Sequence, residues 1–320
     1  MVRYLIRRLP SALAVLALAS VLIFLLIRLV PGDPATTLAG PGAPPQALAE
    51  LRSELGLEGS LPSQYLSWVG SVVTLDFGRS FVIGGDIGTL IAEGLGNTLV
   101  LAGAALAIAL VLSLLAGLSA VILDSRWLNA VLAAFSTAGL ALPTFVTGPV
   151  LILVLAVLLP VFPAGGTPPG GPFEEPGATL EFLILPAICL GLPVAAALSR
   201  FLTESLRTQM RQPYVMTARA LGIPRRRIVV TQVLRNALPA AMTALGIQVG
   251  YLLGGAVLVE TIFAWPGLGQ LIAKAIGGRD YPLVQVLLLL SVVVFVAIQL
   301  ATDLIHAYLD PRVRLGGRSG

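Results

Sequence analysis

The stretch Asn97-Thr-Leu-Val-Leu-Ala-Gly-Ala-Ala-Leu-Ala-Ile-Ala-Leu-Val-Leu-Ser-Leu-Leu-Ala-Gly-Leu-Ser-Ala-Val-Ile-Leu123 contains no charged residue. About 20 apolar residues in a helix cross a hydrocarbon layer of roughly 30 Å, so this run is long enough to span. Within hydrocarbon the backbone must satisfy its own hydrogen bonds, which makes the span a helix. Five further apolar runs lie at Leu9–Val30, Leu128–Leu159, Leu180–Leu202, Leu238–Phe263 and Leu283–Tyr308. The expected fold class is therefore all-α, a polytopic membrane protein with six transmembrane helices. The run Leu128–Leu159 is too long for one straight span. Pro143 is placed to kink it, or its start lies along the interface.

Composition agrees. Hydrophobic residues make up 57% of the 320 residues and charged residues 11%, with a mean hydropathy of +0.94. A soluble domain carries about 25% charged residues, so an ordinary soluble enzyme is excluded, and disorder requires low hydrophobicity. The first run, preceded by Arg3, Arg7 and Arg8, resembles a signal peptide, with Ala17-Leu18-Ala19 imitating a cleavage site. Its apolar stretch exceeds the usual 7–15 residues of a signal's core, so a retained span is expected.

The charges are sorted. Arginines 3, 7 and 8, Arg126, the seven between Arg207 and Arg235, and those of the tail all fall on one side of a six-span topology. Asp33, Glu50, Glu54, Glu58, Asp76, Asp86, Glu93, Glu174 and Glu175 fall on the other. By the positive-inside rule both termini are cytoplasmic. The net charge of +4 is thus a matter of topology, and no nucleic-acid partner is expected. A single cysteine, Cys189, and a single histidine, His306, exclude an internal disulfide and a zinc-protease His-Glu-x-x-His helix. The only lysine, Lys274, is followed by Ala275, so there is no phosphate-binding loop. No cofactor is expected on this chain, and if ATP is used another chain binds it.

Between the fourth and fifth runs lies a basic loop, residues 203–236. Pro213 suits the opening of a short helix Tyr214–Leu221, Gly222 a left-handed C-terminal cap, and Pro224 the first turn of a third helix. Arg200 and Glu204, or Glu204 and Arg207, are spaced to pair along a helix leaving the membrane. A short helix between hinges, with Ala218 and Ala220 as small contacts, suits a partner's groove. A solvated basic loop is equally compatible with the spacing.

Tyr214-Val-Met-Thr-Ala-Arg-Ala-Leu-Gly222 resembles the coupling loop of permease subunits of ATP-binding-cassette importers, in the form of the dipeptide/oligopeptide/nickel branch. Met216, Thr217 and Ala218 stand where the general motif has Glu-Ala-Ala, Gly222 stands at its Gly, and Leu234-Arg235 replaces its Leu-Pro. Arg28 with Pro31-Gly-Asp-Pro-Ala35, Asp76-Phe-Gly-Arg-Ser80, Glu260-Thr-Ile-Phe-Ala-Trp-Pro-Gly-Leu-Gly269, Arg279-Asp-Tyr-Pro282 and Asp310-Pro-Arg312 resemble the same branch, in order along the chain. The resemblance implies a type I importer permease fold and the first of two permease subunits, in the inner membrane of a prokaryote. It also implies a second homologous permease, two ATP-binding subunits holding ATP and Mg, and an extracytoplasmic substrate-binding protein. Tyr214, Thr217, Ala218, Arg219, Ala220 and Gly222 would couple to the ATPase. Di- or oligopeptides would be the cargo, with nickel or another small solute as the alternative.

The expected organisation is a first segment and span over 1–30, a long periplasmic segment over 31–94, a core of five spans over 95–308, and a tail over 309–320. In the long outer segment Gln46–Leu55 reads as a short helix ended by Gly56, and the loop Pro160–Gly177 as irregular. Gly246, Gly250 and Gly254 are spaced for close helix packing. Asn97, Gln248 and Glu260 are polar groups in or near apolar runs and either line a pathway or bond between helices. Glu260 and Asp280 are placed to flank an outer gate or, the preferred reading, to be solvated at the interface. Two rival classes compete. An intramembrane serine protease would use Ser119 with Asp303 and His306, but the second glycine of the Gly-x-Ser-x-Gly pattern is missing. An ion-driven transporter would carry charge at mid-membrane, which these spans almost entirely lack.

Overall fold

The computed structural model describes residues 2–29, 34–40, 42–168 and 175–309. Among them the chain is helical, with one isolated antiparallel bridge between Arg79 and Asp86. The helices are α1 (Val2–Leu29), α2 (Pro34–Ala39), α3 (Pro45–Glu54), α4 (Leu61–Val73), α5 (Ile87–Leu123), α6 (Arg126–Ala141), α7 (Thr144–Leu151), α8 (Pro176–Met210), α9 (Pro213–Ala220), α10 (Arg225–Ile228), α11 (Leu234–Ile262), α12 (Leu268–Gly278) and α13 (Tyr281–Leu309). Helix α7 continues as a π-helical stretch over Ile152–Leu158, and a second one, Val229–Val233, joins α10 to α11.

Each of the six apolar runs becomes helix. The segments Arg8–Leu29, Ile87–Leu123, Gly177–Met210 and Arg225–Leu252 are long and apolar enough to cross a membrane. Arg126–Ala141 and Thr144–Leu158 form a fifth, broken span, bent by 109°. The break falls at Pro143, the residue singled out by the sequence. Its ring pushes Leu142 out of the helical region, to φ −83° and ψ 117°. Helix α13 supplies the sixth run, in 29 residues. Pro186 and Pro193 do not interrupt α8, because neighbouring elements can compensate a missing amide inside a packed bundle.

The chain divides into two compact units, Met1–Asn97 with Pro266–Leu300, and Thr98–Trp265 with Ala301–Gly320. In the first, α1 lies against α4 through an aromatic cluster. Phe24 meets Tyr65 edge to face at 5.4 Å and Trp68 at 6.1 Å, and the Ser20 and Tyr65 hydroxyls share a 2.8 Å hydrogen bond. Helix α3 and Gly56, at φ +61°, match the expected short helix and its end. Helices α4 and α12 were not expected. The signal for α4 was Ser60, whose hydroxyl caps it by accepting from the Ser63 amide. Helix α5 begins at Ile87, well before the expected core boundary at 95, because Asp86 caps it by accepting from the Thr89 amide at 2.9 Å.

The second unit has its main core in Leu101, Ala105, Leu185, Cys189, Leu190, Leu252, Ala256, Val259, Phe263 and Trp265. Helix α8 runs through its centre and meets its neighbours at small residues. A Cβ built on Gly191 would lie 2.6 Å from the Ala105 carbonyl oxygen, and one on Gly139 would lie 2.8 Å from the Ala196 methyl. Of the glycines spaced for close packing, Gly250 and Gly254 stand open: among the described residues nothing lies within 4 Å of a Cβ built on either, while one on Gly255 would meet Leu190.

Gly191→Ala is therefore expected to destabilise the folded subunit by about 1–3 kcal/mol through overpacking. Gly103→Ala, also in α5 or α8 but with open space around it, should be neutral or stabilising by up to about 1 kcal/mol. Thermal unfolding of the purified protein in detergent, followed by intrinsic fluorescence, separates the two.

Candidate functional site

The basic loop folds as helix, turn, short helix, turn, helix. Helix α8 ends at Met210, and Gln212 is extended because Pro213 follows it at the first position of α9. Helix α9 is closed by a Schellman motif. The Ile223 amide donates to the Ala218 carbonyl at 3.1 Å and the Gly222 amide to the Arg219 carbonyl at 2.9 Å. Gly222 sits at φ +76°, a conformation that costs a side-chain-bearing residue roughly 1–2 kcal/mol. A Cβ there would meet nothing within 4 Å, so backbone strain rather than crowding is what requires glycine.

One face of α9 is buried against its own chain. Val215 and Ala218 enter a cluster with Val121, Leu202, Leu206, Ile228, Val229, Val233 and Ala237, drawn from α5, α8, α10, the π-helical stretch and α11. The opposite face is bare. Met216 is 69% exposed and Leu221 74%, with Thr217, Arg219, Ala220 and Gly222 also exposed. Tyr214 is half-buried and its hydroxyl donates to Gln209. Ala218, expected as an outward contact, is 4% exposed. That expectation is corrected: it lies three positions after Val215, and this spacing puts both on the inward face.

Arg225 locks the segment to the end of α5. Its Nε donates to the Val121 carbonyl at 2.9 Å, and its guanidinium pairs with Asp124 at 2.8 Å. A cation on the last free carbonyls of a helix is favourable on both hydrogen-bond and dipole grounds. In the sequence Arg225 stands out only as one of the seven arginines between Arg207 and Arg235. The proline before it, which fixes the start of α10, was the signal that sets it apart. Arg200, Glu204 and Arg207 form no ion pair with one another, contrary to the expected spacing pairs. They lie instead along a groove between α6 and α8.

The polar residues near the other end of the spans are structural ties. Glu260 is fully buried and accepts from the Thr98 hydroxyl at 2.7 Å. Asn97 is buried and donates to the Pro266 carbonyl at 2.9 Å. Asp280 is fully buried. It accepts from the Ser80 hydroxyl at 2.5 Å, the Val82 amide at 3.1 Å and, as cap of α13, the Leu283 amide at 3.4 Å. Interfacial solvation of Glu260 and Asp280 is thus overturned: each carboxylate has its hydrogen bonds inside the protein, and burial without them would be costly. Asn97 and Glu260 make hydrogen bonds between segments, one of the two alternatives expected for them. Gln248 is partly buried on α11. Asp76–Ser80 and Arg279–Pro282, two of the resembling patches, prove to be one device joined at Ser80 and Asp280. Ser119 donates to the Ala116 carbonyl of its own helix. Pro31–Asp33 and Asp310–Arg312 lie outside the described residues, as do the side chains of Asp303 and His306.

Residues 109–315 match the family described as binding-protein-dependent transport system inner membrane component, and residues 1–101 match its N-terminal family. The chain belongs to this family. The permease is 34% identical over 314 residues to a glutathione transport system permease protein of Escherichia coli K12, covering 98% of this chain and 99% of that one. It is 35% identical over 311 residues to a probable peptide ABC transporter permease protein of Sinorhizobium fredii, covering 97% and 99%. In fold it is similar to the MetNI methionine ABC transporter solved in inward-facing conformations, with a TM-score of 0.54, 20% identity, and 69% of this chain and 96% of that chain covered. The fold is that of a type I importer permease, and the permease is a multi-pass transport component of the inner membrane.

Arg225→Met removes the cap from α5 and leaves Asp124 without its cation. It should lower the stability of the permease by about 1 kcal/mol, read as a lower thermal midpoint. Arg226→Met, at an exposed position, should leave the midpoint unchanged.

Proposed function

We propose that this permease forms half of the pathway of an ATP-driven importer of di- and oligopeptides. The observation that carries the cargo is similarity over nearly the full length to permeases named for glutathione and for peptide transport; glutathione is itself a tripeptide. A second, homologous permease completes the pathway. The bare face of α11, where Gly250 and Gly254 stand open beside exposed Ile247 and Tyr251, supports a close helix contact with another chain. Two ATP-binding subunits bind and hydrolyse ATP with Mg, and a substrate-binding protein delivers cargo from outside. Both termini are cytoplasmic, residues 31–94 are periplasmic, residues 95–308 form the core and residues 309–320 the tail.

Coupling runs through α9. Met216, Thr217, Arg219, Ala220 and Leu221 present the surface that enters the ATPase subunit, Tyr214 and Gly222 set its two ends, and Ala218 seats it on the spans. ATP supplies the differential affinity that moves the permease between states, and α9 passes that movement to α5, α8 and α11.

The complex of this permease with its co-encoded partners, reconstituted in vesicles, should import radiolabelled di- and tripeptides only with ATP and the binding protein. Uptake of nickel instead of peptide would contradict the cargo, and ion-driven uptake by this chain alone would contradict the machinery. Gly222→Val should insert normally but import about five- to thirtyfold less per ATP, the loss expected for about 1–2 kcal/mol of strain at the hinge. Gly222→Asn, which tolerates the left-handed conformation, should retain most import.

A further inference from the structure

Helix α4 belongs to the long segment between the first and second spans, yet no charged residue lies between Glu58 and Asp76. At 13 residues it is about 20 Å long, too short to cross roughly 30 Å of hydrocarbon. Its neighbour within the first unit is α1, which is long and apolar enough to span the membrane up to Leu29.

The contacts with α1 set the depth of α4. At the end of the span the Arg28 Nε donates to the Gln64 Oε1 at 3.1 Å. Further along the span, Tyr65 and Trp68 pack on Phe24, and the Tyr65 hydroxyl shares its hydrogen bond with that of Ser20. Ser20 precedes Leu29 by nine positions. That is about 13 Å down the helix axis, close to the middle of a layer whose half-thickness is about 15 Å. Phe24 precedes Leu29 by five positions, about 7 Å down. The aromatic face of α4 therefore lies inside the hydrocarbon that α1 spans.

The rest of the helix suits such a place. Its polar side chains find partners within the protein. The Ser71 hydroxyl donates to the Ser67 carbonyl, the Thr74 hydroxyl to the Gly70 carbonyl, and the Gln64 Nε2 to the Leu57 carbonyl. A hydroxyl bonded to the carbonyl one turn back leaves no donor unmet in hydrocarbon. Leu66 and Val73, seven positions apart on one face, are 68% and 76% exposed. An apolar face of this kind is a liability in water and at home in lipid. Helix α1 presents bare leucines in the same way, Leu22 and Leu26 among them.

We propose that α4 is embedded in one leaflet of the membrane, the leaflet at the C-terminal end of α1, with Leu66 and Val73 against lipid acyl chains. It enters and returns on the same side, because Glu58 and Asp76, both exposed, hold its two ends in water. The segment between the first two spans is then only partly aqueous, and α4 anchors it to the first span. This placement is independent of the cargo and of which side of the membrane the segment faces.

The test uses the assembled membrane complex in phospholipid vesicles, carrying Cys189→Ser and a nitroxide label on Leu66→Cys, with Val73→Cys as a second reporter. Collision rates of the label with oxygen, which concentrates in lipid, and with a water-soluble nickel chelate are measured by electron paramagnetic resonance. Glu50→Cys, at an exposed position of α3, sets the water end of the scale, and a phospholipid labelled on its acyl chain sets the lipid end. The oxygen-to-nickel ratio at 66 and 73 should exceed that at 50 by at least about tenfold, because hydrocarbon excludes a hydrated polar solute by that factor or more. A smaller ratio overturns the proposal by placing the face in water. Low collision rates with both reagents overturn it as well, by placing the face against another protein chain.

Discussion

The permease depends on the seating of a short helix. Helix α9 is only eight residues long, too short to hold its shape alone in water. It stands because Val215 and Ala218 are buried against α5, α8 and the start of α11. A Pro start, a Schellman end and the Arg225 cap leave the segment little freedom around that contact. Fully burying a valine contributes about 1.5–3 kcal/mol, comparable to the whole penalty of the left-handed hinge at Gly222. A helix seated on three spans at once can pass force to all three, whereas a solvated loop would bend instead.

Burial of polar groups follows the same logic elsewhere. Within the first unit, the turn after α4 is tied to the start of α13 by Ser80 and Asp280, across 200 residues of sequence. Within the second, Thr98 holds Glu260 near the end of α11. Each carboxylate is fully buried, and removing a partner would leave a buried charge with its desolvation cost uncompensated. These bonds fix where the spans begin and end.

Much of this was legible in the sequence, and for stated reasons. Spans follow from length and hydropathy alone, so all six runs became helix. The Pro143 break and the Gly222 cap were legible because proline and glycine act on the local backbone, whatever surrounds them. Facing was not legible. Gly250 and Gly191 look alike as residues, yet only Gly191 touches a neighbouring backbone. Ala218 read as an outward contact and Glu260 and Asp280 as solvated, because nothing local says which side of a helix the rest of the chain will cover. Arg200, Glu204 and Arg207 read as pairs spaced along one helix, yet they form none, and their neighbours across a groove come from α6, far away in sequence.

Helix α9 has an inward face held by the spans, and in the function proposed above its outward face meets the ATPase subunits. Cysteine scanning across residues 215–221 in a Cys189→Ser complex, with oxidative cross-linking to single cysteines in the ATPase surface, tests it directly. Cross-links are predicted at 216, 217, 219, 220 and 221, with 215 and 218 silent. Cross-linking at 215 and 218 as strong as at the others, or at none of the seven, would contradict it.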